Sequence, residues 1–351
     1  MRSRPKFFSG TAIAVFTVLT VVLASCSTSE TAEVGADGKV TVRYQGWASQ
    51  VGWSELAESL GYFQKVELEW VGDTTSGPQD IQAVATGEID TGSAFNGSVA
   101  KLQQAGSKVT GVVSTNGSDT ETFHGYYSLE GSGIETAQDL VGKKVGINTL
   151  GAYHEYAIKE WLHREGVSDA DIKNVGLTVV PPINTELALR EQQIEVGNLG
   201  TIFKDVALQK GGLHEIFRDT SLIGNLSIAT AVFRDDYIKE NPEVVKDYVQ
   251  GVARAIRWAQ LRPREEVVNR FVKVIDDRGR NENTEFVKQW KSPGVPVPGG
   301  VIEPDEFSLW IDEAVRLGEL PAGIKVDELY TNEFNPYANG TYPPASNEEG
   351  V

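Results

Sequence analysis

Apolar and polar residues follow one another in two rhythms along this chain. Val40, Val42 and Tyr44 alternate with polar neighbours, the period of a strand with one buried face. Trp53, Leu56, Ala57 and Leu60 recur at helical spacing, and Gly61 ends that helix. The same logic predicts strands at Val66–Trp70, Ile89–Ala94 and Val109–Ser114. Helices run from Ser76-Gly77-Pro78, a capping hydroxyl before proline, to Gly87, and through Val99, Leu102 and Gln103. His124–Leu129 reads as a strand leading out of this first set.

A second set follows: a short helix near Ala137–Leu140, a strand at Val145, and a helix whose buried face is Tyr153, Ala157, Ile158, Trp161 and Leu162. Strands are predicted at Leu177–Val180, Ile194–Leu199 and His214–Phe217. Helices are predicted at Thr185–Glu191 and from the Gly200–Phe203 turn to Gly211. Ile228–Phe233 reads as a return strand. The remainder is helical at Pro242–Leu261, Arg264–Arg278 and Asp305–Leu317, with a proline-rich loop from Ser292 to Pro304.

The two sets match. A shift of 105 positions lays Ala83, Ile89, Asp90, Gly92, Gln104 and Gly106 on Ala188, Ile194, Glu195, Gly197, Gln209 and Gly211. Val40, Val42, Gly46 and Ser49 fall on Val145, Ile147, Gly151 and His154, and the register slips between the blocks as a loop insertion would cause. The expectation is two similar α/β lobes joined by two crossing strands, near His124–Leu129 and Ser227–Val232. That arrangement permits closure of a cleft. Strand-to-helix turns leave backbone N–H groups to hold a ligand, or serve as connections only.

The N-terminus sets an address. Arg2, Arg4 and Lys6 precede an apolar run from Ala12 to Leu23, too short for an ordinary spanning helix and characteristic of a secretory signal. Leu23-Ala24-Ser25-Cys26 resembles a bacterial lipobox, which would make Cys26 the acylated first residue of the mature chain. Cys26 is also the chain's single cysteine. The expected divisions are a leader (1–25), a small, polar, acidic tether (26–38), a first lobe (39–126), a second lobe (127–227), a return to the first lobe with the C-terminal helices (228–340), and a tail (341–351). The net charge is −17, which excludes nucleic-acid binding by charge.

Val40-Thr-Val-Arg-Tyr-Gln45, Leu60-Gly61-Tyr62-Phe63, Thr86-Gly-Glu-Ile-Asp90, Leu140-Val-Gly-Lys-Lys-Val145 and Asn241-Pro-Glu-Val-Val245 together resemble the taurine, alkanesulfonate and nitrate branch of ABC-importer substrate-binding proteins. The resemblance runs in order from Val40 to Tyr330. It implies a type II periplasmic-binding fold, capture of a small solute in the cleft, and delivery to a membrane permease. Position by position it places the site at Gln45, Trp47 and Ser49; Phe95, Asn96 and Ser98; His124; Thr149, Gly151, Tyr153 and His154; and Thr201 and Phe203. The chain departs from taurine binders. It has His124 where they carry an acid, and after Thr149 no hydroxyl but the Tyr153 phenol.

Trp47, Phe95, Tyr153 and Phe203 are expected as apolar cleft walls or as core. The serines, threonines and Asn96 orient a ligand or cap their own helices. His154 is expected as a donor to an anion or as a surface or capping side chain. His163, nine residues on, points elsewhere, and no second histidine stands at position 158, so no metal and no cofactor are expected. Neither a Gly-x-Ser-x-Gly elbow nor a phosphate loop occurs, and Gly131-Ser132-Gly133 lacks a third glycine. Desulfinases and thiamine-pyrimidine synthases share the resembled fold, but the catalytic cysteine or histidine-rich site they need is not met. The sequence thus reads as a monomeric, non-enzymatic, lipid-anchored protein on the extracytoplasmic face of the cell membrane. A sulfonate-like anion is the favoured solute, and a neutral or aromatic heterocycle such as a vitamin precursor the alternative.

Overall fold

The computed structural model describes Gly35 and residues 38–351; the leader, Cys26 and most of the tether lie outside the described residues. The first set comprises β1 (Val40–Gly46), α1 (Trp53–Ser59), β2 (Val66–Asp73), α2 (Gly77–Thr86), β3 (Thr91–Phe95), α3 (Asn96–Gln104) and β4 (Val109–Ser118). The second comprises β5 (His124–Leu129), β6 (Lys144–Ile147), α4 (Tyr153–Arg164), α5 (Asp169–Ile172), β7 (Gly176–Val179), α6 (Pro182–Arg190), β8 (Val196–Gly200), α7 (Thr201–Gln209), β9 (Leu213–Arg218) and α8 (Thr220–Ile223). Then come β10 (Leu226–Arg234), α9 (Asp235–Glu240), α10 (Pro242–Leu261), α11 (Arg264–Arg278) and α12 (Asp305–Arg316).

The second sheet has the order β7-β6-β8-β5-β9, and the first lobe repeats it as a β2-β1 pair beside β3-β10-β4. In each lobe the strand next to last in this order is antiparallel to its neighbours and is one of the two crossing strands, β5 or β10. The halves share even a device at the strand edge. Asp90 N–H donates to Arg43 O, and its carboxylate accepts from Arg43 N at 2.9 Å. Glu195 does the same to Lys144, with its carboxylate accepting at 2.9 Å. An acid placed just before a strand satisfies a neighbouring backbone pair that the ladder leaves open. The α6 helix starts three residues earlier than its apolar spacing predicts, because Pro182 in its first turn is already preset for the helix.

The start of the first crossing is tied to both lobes by one buried acid. Asp219 N–H donates to His124 O, and Asp219 Oδ1 accepts from His124 N at 3.2 Å. Its Oδ2 takes Ser118 Oγ–H at 2.6 Å and Tyr153 O–H at 2.7 Å. Beside it, Phe123 in the crossing lies under both Lys204 and Arg218. One apolar cluster runs through both lobes and α12, and another packs the first-lobe strands on α10 and α11. The cleft opens between these masses.

Because Asp219 is fully buried, Asp219→Ala strands three buried donors. It is expected to cost about 3–5 kcal/mol in denaturant unfolding, with faster amide exchange confined to 118–124 and 219–226. Exchange rising equally across both sheets would show that Asp219 acts on the whole fold and not on the hinge.

Candidate functional site

The C-terminal ends of β1, β3, β6 and β8, where Gln45, Phe95, Asn148 and Gly200 stand, meet around a cleft of about 370 Å³. Ligands in α/β folds bind at such carboxyl ends because the open turns there supply unpaired polar groups. Of the residues named from sequence, Gln45, Trp47, Phe95, His124, Tyr153, His154, Thr201 and Phe203 line it. Ser49, Asn96, Ser98, Thr149 and Gly151 do not.

The reasons are visible for four of these. Asn96 is wholly buried, its Nδ2 donating to Glu306 O at 2.9 Å and its Oδ1 accepting from Thr230 Oγ1 at 2.6 Å. Ser98 Oγ donates across the lobes to Gly151 O at 2.8 Å. Gly151, at φ +71°, makes its turn and gives its N–H to Glu155 at 2.8 Å. Ser49 N–H donates to Glu282 at 2.6 Å, and its Oγ accepts from Asn283 N. Nothing in the structure explains the position of Thr149 beyond its lying outside the lining.

Two of the aromatic walls double as core. Phe95 is 4% exposed and meets Tyr153, Tyr156 and Trp310 with centroids 5.6, 5.3 and 5.1 Å away. The rings join both lobes to α12 below the cleft. Trp47 and Phe203 are only half-buried. Phe203 packs at 5.2 Å on Phe286, which belongs to a segment after α11. Sequence reasoning passed over this segment because nothing local in it signals function. From Glu282 to Ser292 it crosses from the first lobe to α7, with Gln289 accepting from Gln209 at 2.8 Å and Lys291 Nζ on Asp205 at 2.8 Å. Val287, Gln289, Trp290, Lys291 and Ser292 line the mouth of the cleft.

The electrostatics are those of an acidic cleft already balanced. Its lining carries Glu55, Asp80 and Asp205, no arginine, and one lysine, Lys291, engaged with Asp205. Glu55 accepts from Arg278 at 2.9 and 3.0 Å, from Arg280 at 3.2 Å and from Tyr44 O–H at 2.7 Å. Asp80 Oδ2 takes Ser93 N–H at 2.7 Å, while Oδ1 is buried with no hydrogen-bond partner, and burial pushes the carboxyl up to about 7. Burial also lowers the His124 pKa and takes that of His154 well below the ordinary range, the latter helped by its neighbour's charge. His154 is therefore a neutral ring and not a cation for an anion. Three of the turn amides are occupied: Ser49 N by Glu282, Gly151 N by Glu155, and Thr201 N by Phe123 O. Asn148, whose Oδ1 is buried without a hydrogen-bond partner, and Asn198, whose Oδ1 and Nδ2 both are, also line the cleft. An asparagine at a strand end carries no motif, and sequence reasoning missed both. Among the described residues no group of three or more His, Cys, Asp or Glu side chains is arranged to hold a metal ion, and no helix is long and apolar enough to cross a membrane.

The fold is that of periplasmic binding proteins. A family model described as NMT1/THI5-like matches residues 55–266, more than half of the sequence, and the chain belongs to that family. A Candida albicans 4-amino-5-hydroxymethyl-2-methylpyrimidine phosphate synthase is 25% identical over 231 residues, covering 60% of this chain and 63% of the relative. The chain thus spans under two thirds of that relative. The aliphatic sulphonate binding protein SsuA from Escherichia coli superposes with a TM-score of 0.63 at 18% identity, covering 83% of this chain and 92% of its own. A ligand-binding component of an ABC-type import system from Staphylococcus aureus, solved with zinc bound, gives a TM-score of 0.63 at 15% identity over 84% and 97%.

Phe95→Ala is expected to cost about 3–5 kcal/mol of stability, whereas Trp47→Ala costs under about 1 kcal/mol, as read by chemical denaturation. Equal losses would remove Phe95 from the joint core. Asp80 has a folded pKa above its unfolded value, so its contribution is full below about pH 4 and fades as pH rises through about 7. Melting temperatures of wild type and Asp80→Asn, compared from pH 4 to 8, are expected to show the wild type losing ground with rising pH. A constant difference would refute the assignment.

Proposed function

We propose that this chain is the solute-capture component of an ABC importer, held at the outer face of the cell membrane through acylated Cys26, without catalytic activity of its own. The captured molecule is a small, uncharged, ring-bearing solute. The observation that carries this choice is the cleft lining: aromatic walls at Trp47, Tyr153, Phe203 and Trp290, and no cation without a carboxylate partner among the described lining residues. Burying an anion there without a countercharge costs several kcal/mol, whereas a planar ring gains from aromatic contact. The pyrimidine phosphate named for the Candida albicans relative carries a ring of this kind, and the proposed solute is that ring without the phosphate.

The sulfonate reading, favoured by motif resemblance, is supported by the likeness to SsuA. An enzymatic reading on the pyrimidine synthase pattern draws on the family model and on relatives of 25% and 26% identity.

A thermal-shift and calorimetry screen decides. The hydroxymethylpyrimidine is expected to bind with a Kd near ~1 μM, about −8 kcal/mol, while ethanesulfonate and nitrate leave the melting temperature unmoved. Stabilisation by sulfonates alone would overturn the ring-solute reading, and turnover of the pyrimidine by purified protein would overturn the carrier reading. In cells, Cys26→Ser is expected to move the protein from the membrane fraction to the soluble one; an unchanged partition would refute the anchor.

A further inference from the structure

Two histidines stand in line at the second-lobe wall. The Asn148 backbone N–H lies 3.5 Å from His154 Nδ1, and His154 Nε2 lies 3.1 Å from His124 Nδ1. A backbone amide can only donate, so His154 Nδ1 accepts, and in a neutral ring the proton then sits on Nε2. That proton points the second hydrogen bond at His124 Nδ1, which leaves the His124 proton on its own Nε2. His124 Nε2 is buried with no hydrogen-bond partner, on a residue of the cleft lining.

The line is held firmly. His124 faces Gly200 across the β5–β8 ladder, and a Cβ on Gly200 would fall 2.2 Å from the His124 ring. Tyr126 O–H donates to His154 O at 2.5 Å, and the Tyr153 ring meets His124 edge-on at 5.4 Å. The charged and titratable groups that face the pair are Asp219 below His124, Lys204 from α7, Tyr126 from β5 and Tyr153 from α4, with the Asn198 amide from β8 beside them. Burial outweighs the pull of Asp219 on His124 and leaves both rings neutral.

We propose that the Asn148–His154–His124 line is a tautomer relay that fixes the second-lobe wall as a hydrogen-bond donor, so that the cleft selects solutes presenting an uncharged acceptor, a ring-nitrogen lone pair or a carbonyl oxygen, to His124 Nε2. His154 is then a positioning residue. Its second nitrogen sets which face of His124 carries the proton, as the outer partner of a metal-bound histidine sets its tautomer. The solute half of this inference rests on the ring-solute reading above; the relay does not.

Long-range proton–nitrogen correlation spectra of the 15N-labelled mature protein at pH 7 read the tautomers directly. Both rings are expected as neutral Nε2–H forms. A proton on Nδ1 of either ring, or an imidazolium, would overturn the relay. His154→Gln places an amide donor where Nε2–H was and is expected to keep the His124 tautomer. His154→Glu presents an acceptor instead and is expected to move the His124 proton to Nδ1 and weaken hydroxymethylpyrimidine binding about tenfold. Circular dichroism and melting curves verify that both variants are folded. An unmoved His124 proton in folded His154→Glu would refute the positioning role. Intact tautomers with a His124 Nε2 signal blind to the pyrimidine would sink the solute class while leaving the relay standing.

Discussion

The buried carboxylate of Asp219 is the interaction on which the rest depends. A two-lobed chain needs its passage from one lobe to the other held fast, or the lobes would slide as well as swing. Asp219, at the end of β9, grips the backbone of the first crossing and adds a hydroxyl from each lobe. Bonds to a charged acceptor are roughly twice as strong as neutral ones, and here they converge where the chain passes between lobes. Tyr153 belongs to the grip and to the cleft wall, and His124 has its backbone in the hinge and its ring in the lining. Hinge and cleft are therefore one structure, and a solute that presses on His124 presses on the pivot.

Much of this was legible in the sequence. The shift of 105 positions places α2 on α6, β3 on β8 and α3 on α7, whose first residues differ by 105, 105 and 105. The paired acids Asp90 and Glu195, matched by that shift, turn out to make the same backbone contact. Patterns with a period survive because burial of one face enforces them. The choice among small polar residues is not legible in that way. Ser49, Asn96 and Ser98 sit in the right turns, yet a hydroxyl or amide that satisfies a neighbouring backbone is the same residue type as one that meets a solute. Only tertiary partners such as Glu282, Glu306 and Gly151 tell them apart. The crossing segment from Glu282 to Ser292 was illegible for a related reason, since its meaning lies in contacts with α7, some 80 residues away in the chain.

The charge balance follows the same division. A strongly acidic chain argues against broad attraction of anions, and the cleft carries this to atomic scale: its carboxylates have taken up the nearby guanidinium and ammonium groups. Fold likeness to a sulphonate binder does not transfer a sulphonate site, because fold fixes where turns converge and not which donors remain open there.

The two sides of the cleft are unequal in strength. Below it, Phe95, Tyr153, Tyr156 and Trp310 form a dry joint whose rings each bury large apolar areas. Across its mouth the lobes meet through Lys291 and Asp205, Gln289 and Gln209, and Phe286 and Phe203, with the lysine 40% exposed. Exposed ion pairs of that kind contribute under about 1 kcal/mol each. Opening therefore begins at the mouth and turns about the aromatic joint and Asp219, which need not be broken. On the carrier reading proposed above, a latch this weak suits capture, because a few kcal/mol of differential contact from a solute between the walls is enough to shift the balance.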